Sequence, residues 1–382
     1  MERLRLRNFV QPRMRTRMRF FVSFTFAGLL MMAATVSGQD RTAYKMPQAI
    51  IFKVPGSTHT LAKGINNAGD VFGQYEGSFL GRASFIRNGE DGTFVTLNIT
   101  DVIPTATGGG NVIITGMNDE GYAAGNIAEF GACNPYRTGC QVIWTGSFVR
   151  DPDGHMDIFN PFFSSGVLGI NSARTVFGTY YDGVKTGSFI RDRDGHVTTF
   201  DGVATAINDK DEVAGMINGQ GFFRSRNGDV TLFGAPNAAA ISFGVQGIDG
   251  LGDILGTYNI WGGQSFLFLR SKQGRFTVFT GPSSQIRQSG VLCVNNRGDV
   301  GGYTALDNNV HPDSTPIEGF IRDKQKGSFE IVAELNFTIW PHLTLGGGPG
   351  EGILFCGLNN SGQFVGTTLQ AGVPFGFLRN SN

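Results

Sequence analysis

Charge is scarce in this sequence: Lys, Arg, Asp and Glu supply 16% of its 382 residues, against roughly 25% in an ordinary domain. His occurs five times, Cys four times, Trp three times and Pro fourteen times. Each shortage excludes something. So little charge beside 12% aromatic residues is incompatible with a disordered chain. Few Pro, and no three-residue Gly period, exclude a collagen-like one. Strong helix formers are sparse and Gly is costly inside helices, which excludes a coiled coil or a helical bundle. No His-Glu-x-x-His, Gly-x-Ser-x-Gly or phosphate-loop signature occurs. No His or second Cys pair stands at zinc-ligand spacing, so neither a metal nor a cofactor is expected. What the chain has in excess is 57 Gly, about twice the usual ~7% share, and 33 Phe. That combination reads as an all-β protein punctuated by glycine.

Only one long apolar run exists, from Phe20 to Val36. Seven Arg precede it, and small residues follow at Thr35, Ser37 and Gly38. This is the layout of a secretory signal over residues 1–38. The run is shorter than the ~20 residues of a membrane span, so cleavage and a mature chain without a span are expected. Losing the leader takes seven Arg and one Glu from 31 basic and 31 acidic residues, leaving a net charge near −6. An acidic mature chain argues against nucleic acid as a partner.

One phrase recurs seven times. It begins Gly64-Ile65-Asn66, Gly116-Met117-Asn118, Gly169-Ile170-Asn171, Ala206-Ile207-Asn208, Gly247-Ile248-Asp249, Cys293-Val294-Asn295 and Gly357-Leu358-Asn359. Seven positions after each Asn or Asp stands Gly: Gly73, Gly125, Gly178, Gly215, Gly256, Gly302 and Gly366. A second phrase, Phe-apolar-Arg, follows each first one and ends at Arg87, Arg150, Arg191, Arg224, Arg270, Arg322 and Arg379. A further apolar stretch then ends at Leu97, Phe159, Phe200, Phe233, Phe279 or Ile331. Each repeat therefore holds four short strands. The turn after the Asn fits a type I turn closed by a left-handed Gly, with Asn bonding its own turn backbone. Gly within the second strand suggests a close approach or a bulge.

The recurring Asn positions lie 52, 53, 37, 41, 46 and 64 residues apart, the spacing of propeller blades. The expected fold is a seven-bladed β-propeller over residues 45–382. The seventh repeat ends three residues after Arg379 and lacks a fourth strand, while Ala49–Val54 forms an orphan strand ahead of the first repeat. The orphan should complete the last blade, close the ring and remove free sheet edges.

The two phrases together resemble the extracellular repeat proteins called the HAF family, over essentially all of residues 45–382. The resemblance implies an exported bacterial protein, in the periplasm, at the cell surface or in the medium. It implies no particular activity.

A residue repeated in every blade reads as framework, so function is sought where the repeats differ. The Arg series reads as turn salt bridges with following residues such as Asp151, Asp192 and Asp323. Asp151-x-Asp153-Gly154 and Asp192-x-Asp194-Gly195 read as hairpin turns, lacking the further acids of a calcium loop. The insertions fall in the connections between second and third strands and between blades. Cys133 and Cys140 bracket one such loop, and a disulfide closing it is expected in an oxidising compartment. Cys293 and Cys356 read as buried thiols or a cross-blade disulfide. All three Trp lie in these connections. The candidate ligand-binding residues are Trp144, Trp261, Trp340, His342 beside it, and Tyr136 within the Cys loop. No catalytic residue is assigned. The expected function is a monomeric, noncatalytic binding or scaffold propeller for an extracellular protein or glycan. The alternative is a polysaccharide-acting hydrolase or lyase with its site at the central channel mouth.

Overall fold

The computed structural model describes residues 49–382 apart from 78–80, 107–108, 134–139, 163, 263, 283–285, 307–316, 336–356, 371–372 and 381–382. The leader expected over residues 1–38 lies outside the described residues. Seven antiparallel sheets of four strands each form the blades of a β-propeller. The one described helix is a single turn, Ile99–Val102, started by an Asn98–Asp101 capping box. Blades 1 to 6 occupy residues 59–97, 110–159, 164–200, 203–233, 240–279 and 286–335, with their strands hydrogen-bonded in chain order. Blade 7 takes Gly357–Leu358, Phe364–Gln370 and Val373–Arg379 from the C-terminal end, and Ala49–Phe52 from the other. Ala49 pairs with Arg379 and Phe52 with Gly376, so the N-terminal strand closes the ring.

Closure does not remove sheet edges as the sequence suggests, because the outermost strand of every blade keeps one. Six of these strands, Ala49–Phe52 among them, are four residues long. Their shortness limits strand addition. The first strand of each blade packs against the first strands of both neighbours and so lines the axis.

The repeated residues build the blade and its seams. Asn66 Oδ1 accepts from the Asp70 N–H at 2.8 Å, the Gly69 N–H donates to the Asn66 carbonyl, and Gly69 has φ +89°. The corresponding side-chain bond to the residue four positions on recurs in the other six turns. The two turns without Gly put Arg174 and Asp211 into the same left-handed region, at φ 64° and 59°. Every second-strand Gly pairs in register with the Phe of Phe-apolar-Arg. A Cβ on Gly256 would lie 2.1 Å from the Phe268 ring and 2.4 Å from the Gly244 carbonyl. This is the expected close approach. The bulge is found in the first strand, where register slips between Ala62 and Gly64 and at the matching place in five more blades.

The hydrophobic core lies between blades rather than within them. One cluster joins Phe52, Val365 and Leu378 of blade 7 to Ala62, Val71 and Phe85 of blade 1. Above such clusters the turn Asn side chains link the blades in one direction. Asn66 Nδ2 donates to the Asn118 carbonyl, Asn118 to Asn171, Asn171 to Asn208, Asn208 to Asp249, Asn295 to Asn359 and Asn359 to Asn66, all at 2.9–3.2 Å. Asp249 has no amide to donate. At that seam Lys324 of blade 6 reaches both Asp249 Oδ2 and Asp253 Oδ2 of blade 5 at 2.8 Å.

The Arg series departs from the expected turn salt bridges. Arg87, Arg191, Arg224, Arg270 and Arg322 lay their guanidinium groups over Phe52, Phe159, Phe200, Phe233 and Phe279 of the preceding blade, 4.4–5.4 Å from the ring centroids. A turn Gly lies close by, its absent Cβ leaving room for the guanidinium. Stacking on an aromatic face needs no counter-ion and tolerates burial, whereas a turn carboxylate would stay in water. The carboxylates have other partners: Asp151 and Asp192 bond His155 and His196. Where blade 6 offers Ile331 instead of Phe, Arg379 pairs with Glu330.

Candidate binding face

Antiparallel strands send the 1–2 and 3–4 turns to one face of the ring, the turn face. The 2–3 and blade-to-blade connections go to the other, the loop face. The turn face is tied up by the bonds just described and by a second set one residue further on. Asn67 donates through N–H and Nδ2 to the Asp119 carboxylate, Ser172 N–H to Asp209, Asn296 N–H to Asn360 Oδ1 and Asn360 N–H to Asn67 Oδ1. Asn296 Nδ2 also reaches Asp209, passing over Gly250 of the intervening blade.

The electrostatics of this face are those of satisfied turns. Burial pulls the Lys324 ammonium down, but its bonds to Asp249 and Asp253 outweigh that and hold it above the usual lysine range. Backbone N–H donors of Thr93, Lys185 and Lys326 hold Asp91, Asp182 and Asp323 below the usual carboxylate range. At Asp151 and Asp192 desolvation is the largest single influence and pushes upward, but the backbone and side-chain bonds from His155 and His196 together outweigh it and carry the shift downward. Burial lowers the guanidinium pKa of Arg224, Arg270 and Arg322. Two Asp-Asp-His groups, Asp151–Asp153–His155 and Asp192–Asp194–His196, bring ligand atoms within 4.8 Å of one another and could hold a metal ion. They sit in exposed 3–4 turns whose internal bonds already explain them.

The loop face carries apolar side chains in water. Trp261, at the tip of the blade 5 hairpin, is 83% exposed, and Val184, at the tip of the blade 3 hairpin, is 91% exposed. Val142 and Ile143 in the blade 2 hairpin, Tyr181 in blade 3, and Val203 and Ile241 at the entries to blades 4 and 5 are exposed as well. Among the described residues Leu251 is the large exposed hydrophobic of the 1–2 turns. The remaining ones lie mainly on outer strands.

Of the sequence candidates, Trp261 stands out into solvent at its expected place. Trp144 lies within the third strand of blade 2, fifth of the eleven residues of Cys140–Arg150, rather than in the connection before it, and it is half-buried, with its ring over Gly146 and against the core shared by blades 1 and 2. Trp340, His342 and Tyr136 lie outside the described residues. The insertion of blade 2 is a strand extension: Ala123–Cys133 and Cys140–Arg150 run eleven residues each, against five for Val213–Ile217 and Gln220–Arg224 of blade 4. Cys133 and Cys140 are register partners across that hairpin, and their side chains lie outside the described residues. Cys293 is disulfide-bonded rather than a free thiol, with its partner outside the described residues. Sequence reading missed Val142, Ile143, Tyr181, Val184 and Ile241. The signal for Val184 was present: an apolar residue inside the polar turn Asp182-Gly183-Val184-Lys185.

The chain matches no protein-family model and no curated protein. Solved structures share its fold. Virginiamycin B lyase of Staphylococcus aureus aligns over 87% of this chain and 99% of its own, at 11% identity and TM-score 0.50. Oligogalacturonate lyase of Vibrio parahaemolyticus aligns over 88% and 97%, at 9% identity and TM-score 0.55. The β-propeller domain of the Trilobed protease from Pyrococcus furiosus aligns over 85% and 96%, at 12% identity and TM-score 0.52. That domain is described as having an open velcro topology, whereas here Ala49–Phe52 closes the ring. At these identities the likeness is one of fold alone.

Proposed function

We propose that the protein is an exported, noncatalytic binding or scaffold propeller that recognises an extracellular protein or glycan through its loop face. The observation that carries this reading is the gathering of exposed apolar side chains on that face, opposite a face whose polar groups bond one another. Exposed aromatic and branched side chains gathered on one face are what a recognition surface needs. The HAF-like repeat and the leader over residues 1–38 support export. Joining Cys133 to Cys140 belongs to the same reading, since register partners stand at the separation a disulfide spans.

The alternative, a polysaccharide hydrolase or lyase, draws on the fold shared with two lyases. Among the described residues the carboxylates with shifted pKa run downward, away from the raised value that a general acid uses. The test immobilises the full chain, expressed for export, and passes extracellular polysaccharides and matrix proteins over it. Retention of one probe by the wild type, lost in an Ile143→Asp, Val184→Asp, Trp261→Ala triple variant of unchanged melting temperature, is expected. Retention of none, or equal retention by the variant, sinks the proposal. Release of reducing or unsaturated ends from a polysaccharide turns the assignment to the enzyme. Intact mass before and after reduction checks the disulfides.

A further inference from the structure

The loop face is chemically uneven. Over blades 1 to 3 it carries His59, Glu76, Arg82, Asp182 and Lys185 at strand ends and turns, and Glu129 within the extended hairpin of blade 2. Over blades 4 and 5 charge is absent from the strands that reach it. Neither 213–223, nor 230–248, nor 254–269 contains Lys, Arg, Asp, Glu or His. These stretches include the 2–3 hairpins of both blades and the connection that joins them. Their exposed or half-exposed polar side chains are amides and hydroxyls: Asn218, Gln220, Asn237, Ser242, Asn259 and Gln264.

Trp261 rises from the middle of this neutral sector. Across its turn the Ile260 N–H donates to the Gln264 carbonyl at 3.1 Å, and Gly262 takes φ +97°. Beside it Ile241 is pushed out at a register shift, since Ala240 pairs with Ile260 and Ser242 with Asn259. Asn259 Nδ2 donates to Ser242 Oγ at 2.7 Å, which fixes the amide next to the indole. The Asn237 side chain is held by the Ala239 N–H at 2.9 Å. An indole left in water adds nothing to the core, and a ligand that covers it recovers apolar burial.

The chemistry of the surroundings selects the ligand. A protein interface packs its aromatic anchors into an apolar core inside a polar rim, whereas the amides of Asn259 and Gln264 stand within three residues of Trp261. An anionic glycan calls for Arg or Lys, which recognise carboxylates by charge-assisted bonds. A membrane surface is met by aromatics flanked with basic residues. None of these charges occurs in the three stretches. A neutral sugar ring has one apolar C–H face to lie on an indole and a rim of hydroxyls that bond amides and hydroxyls. We infer that the rim of blades 4 and 5 binds a neutral glycan, with a pyranose ring stacked on Trp261 and its hydroxyls met by Asn259, Ser242 and Gln264. This inference rests on the binding-face reading and narrows it to a ligand class.

The test titrates the full chain with neutral gluco-, manno-, xylo- and N-acetylgluco-oligosaccharides, and with oligogalacturonate as the anionic control. Binding of at least one neutral oligosaccharide is expected, unchanged by raising salt to about 1 M, because no ion pair is screened. Trp261→Ala should weaken it by about tenfold or more, Trp261→Phe by a few-fold, and neither should move the melting temperature. Tighter binding of oligogalacturonate, binding of no neutral oligosaccharide, or equal binding by Trp261→Ala overturns the inference. A protein ligand lost on Ile143→Asp plus Val184→Asp but kept by Trp261→Ala overturns the glycan inference and leaves the loop-face reading standing. If neither variant affects any ligand, both fall.

Discussion

Asn118 on the turn face is 4% exposed, accepts backbone N–H bonds from its own turn and donates to the next blade. Trp261 on the loop face is almost wholly in water. The first residue type is written seven times with one change, and the second occurs once in its place in the repeat. The contrast teaches where a propeller keeps its closure and where it keeps its individuality. Wherever blade meets blade the same contact is needed seven times, so the sequence repeats. Where a blade meets only solvent, nothing enforces repetition, and side chains are free to differ.

The sharpest way to break this comparison is to damage the repeated part. Asn118→Ala leaves the Tyr122 N–H and one acceptor site of the Asn171 carbonyl without partners, which should cost about 3 kcal/mol in chemical denaturation. A loss under about 1 kcal/mol would deny the ring its structural role. Gly256→Ala should cost about 2 kcal/mol by pushing Phe268 out of its rotamer or the Gly244 carbonyl off its register. Near-UV circular dichroism of the Phe band and the denaturation midpoint should shift together.

Smaller effects sharpen the comparison within the turn face itself. The Lys324 pKa is raised in the fold, so its contribution is present below the unfolded value near 10.4 and lost as pH rises through the folded one. Above that pH the wild type should lose more stability than Lys324→Met, measured by denaturation across the alkaline range. Equal losses would mean that the charged seam adds nothing to closure. The smallest effect is expected on the loop face, where Trp261→Ala should change stability by no more than about 0.5 kcal/mol. A larger drop would make the indole a structural residue and erase the distinction between the faces.

Much of the ring was legible because it depends on relations within one repeat. The seven Asn turns, the four strands per blade and the closing strand Ala49–Phe52 follow from spacing alone. The partners of the repeated residues were less accessible. The Arg of one repeat stacks on the Phe that ends the repeat before it, as Arg270 does on Phe233. Each phrase inspected by itself puts Arg beside a turn acid instead. The Asn amide similarly has two roles, and only the local one shows in a turn motif. Arg174 and Asp211 show how a missing Gly is tolerated. Arg174 stacks on Tyr122 and Asp211 accepts from Asn171, both across a seam. Trp261 was legible as an unusual residue at a hairpin tip. Ile143 and Ile241 were not, because a branched residue in a strand looks the same in sequence whether it faces a neighbour or water.

The pairing of Ala49 with Arg379 also sets an order of events. Ala49–Phe52 precedes blade 1 in the chain and finds its partner in Val373–Arg379, after blade 6, so of the seven described blades blade 7 is the one that cannot assemble from a single contiguous segment as it emerges. Until then Ala49-Ile50-Ile51-Phe52 is an apolar strand without a mate. Ile50 and Ile51 remain about two-fifths exposed, at 41% and 38%, even in the finished ring. Its brevity, four residues, limits how well it can pair with anything else while it waits. The length of the closing strand is thus a compromise between holding the ring shut and not misjoining before the ring exists.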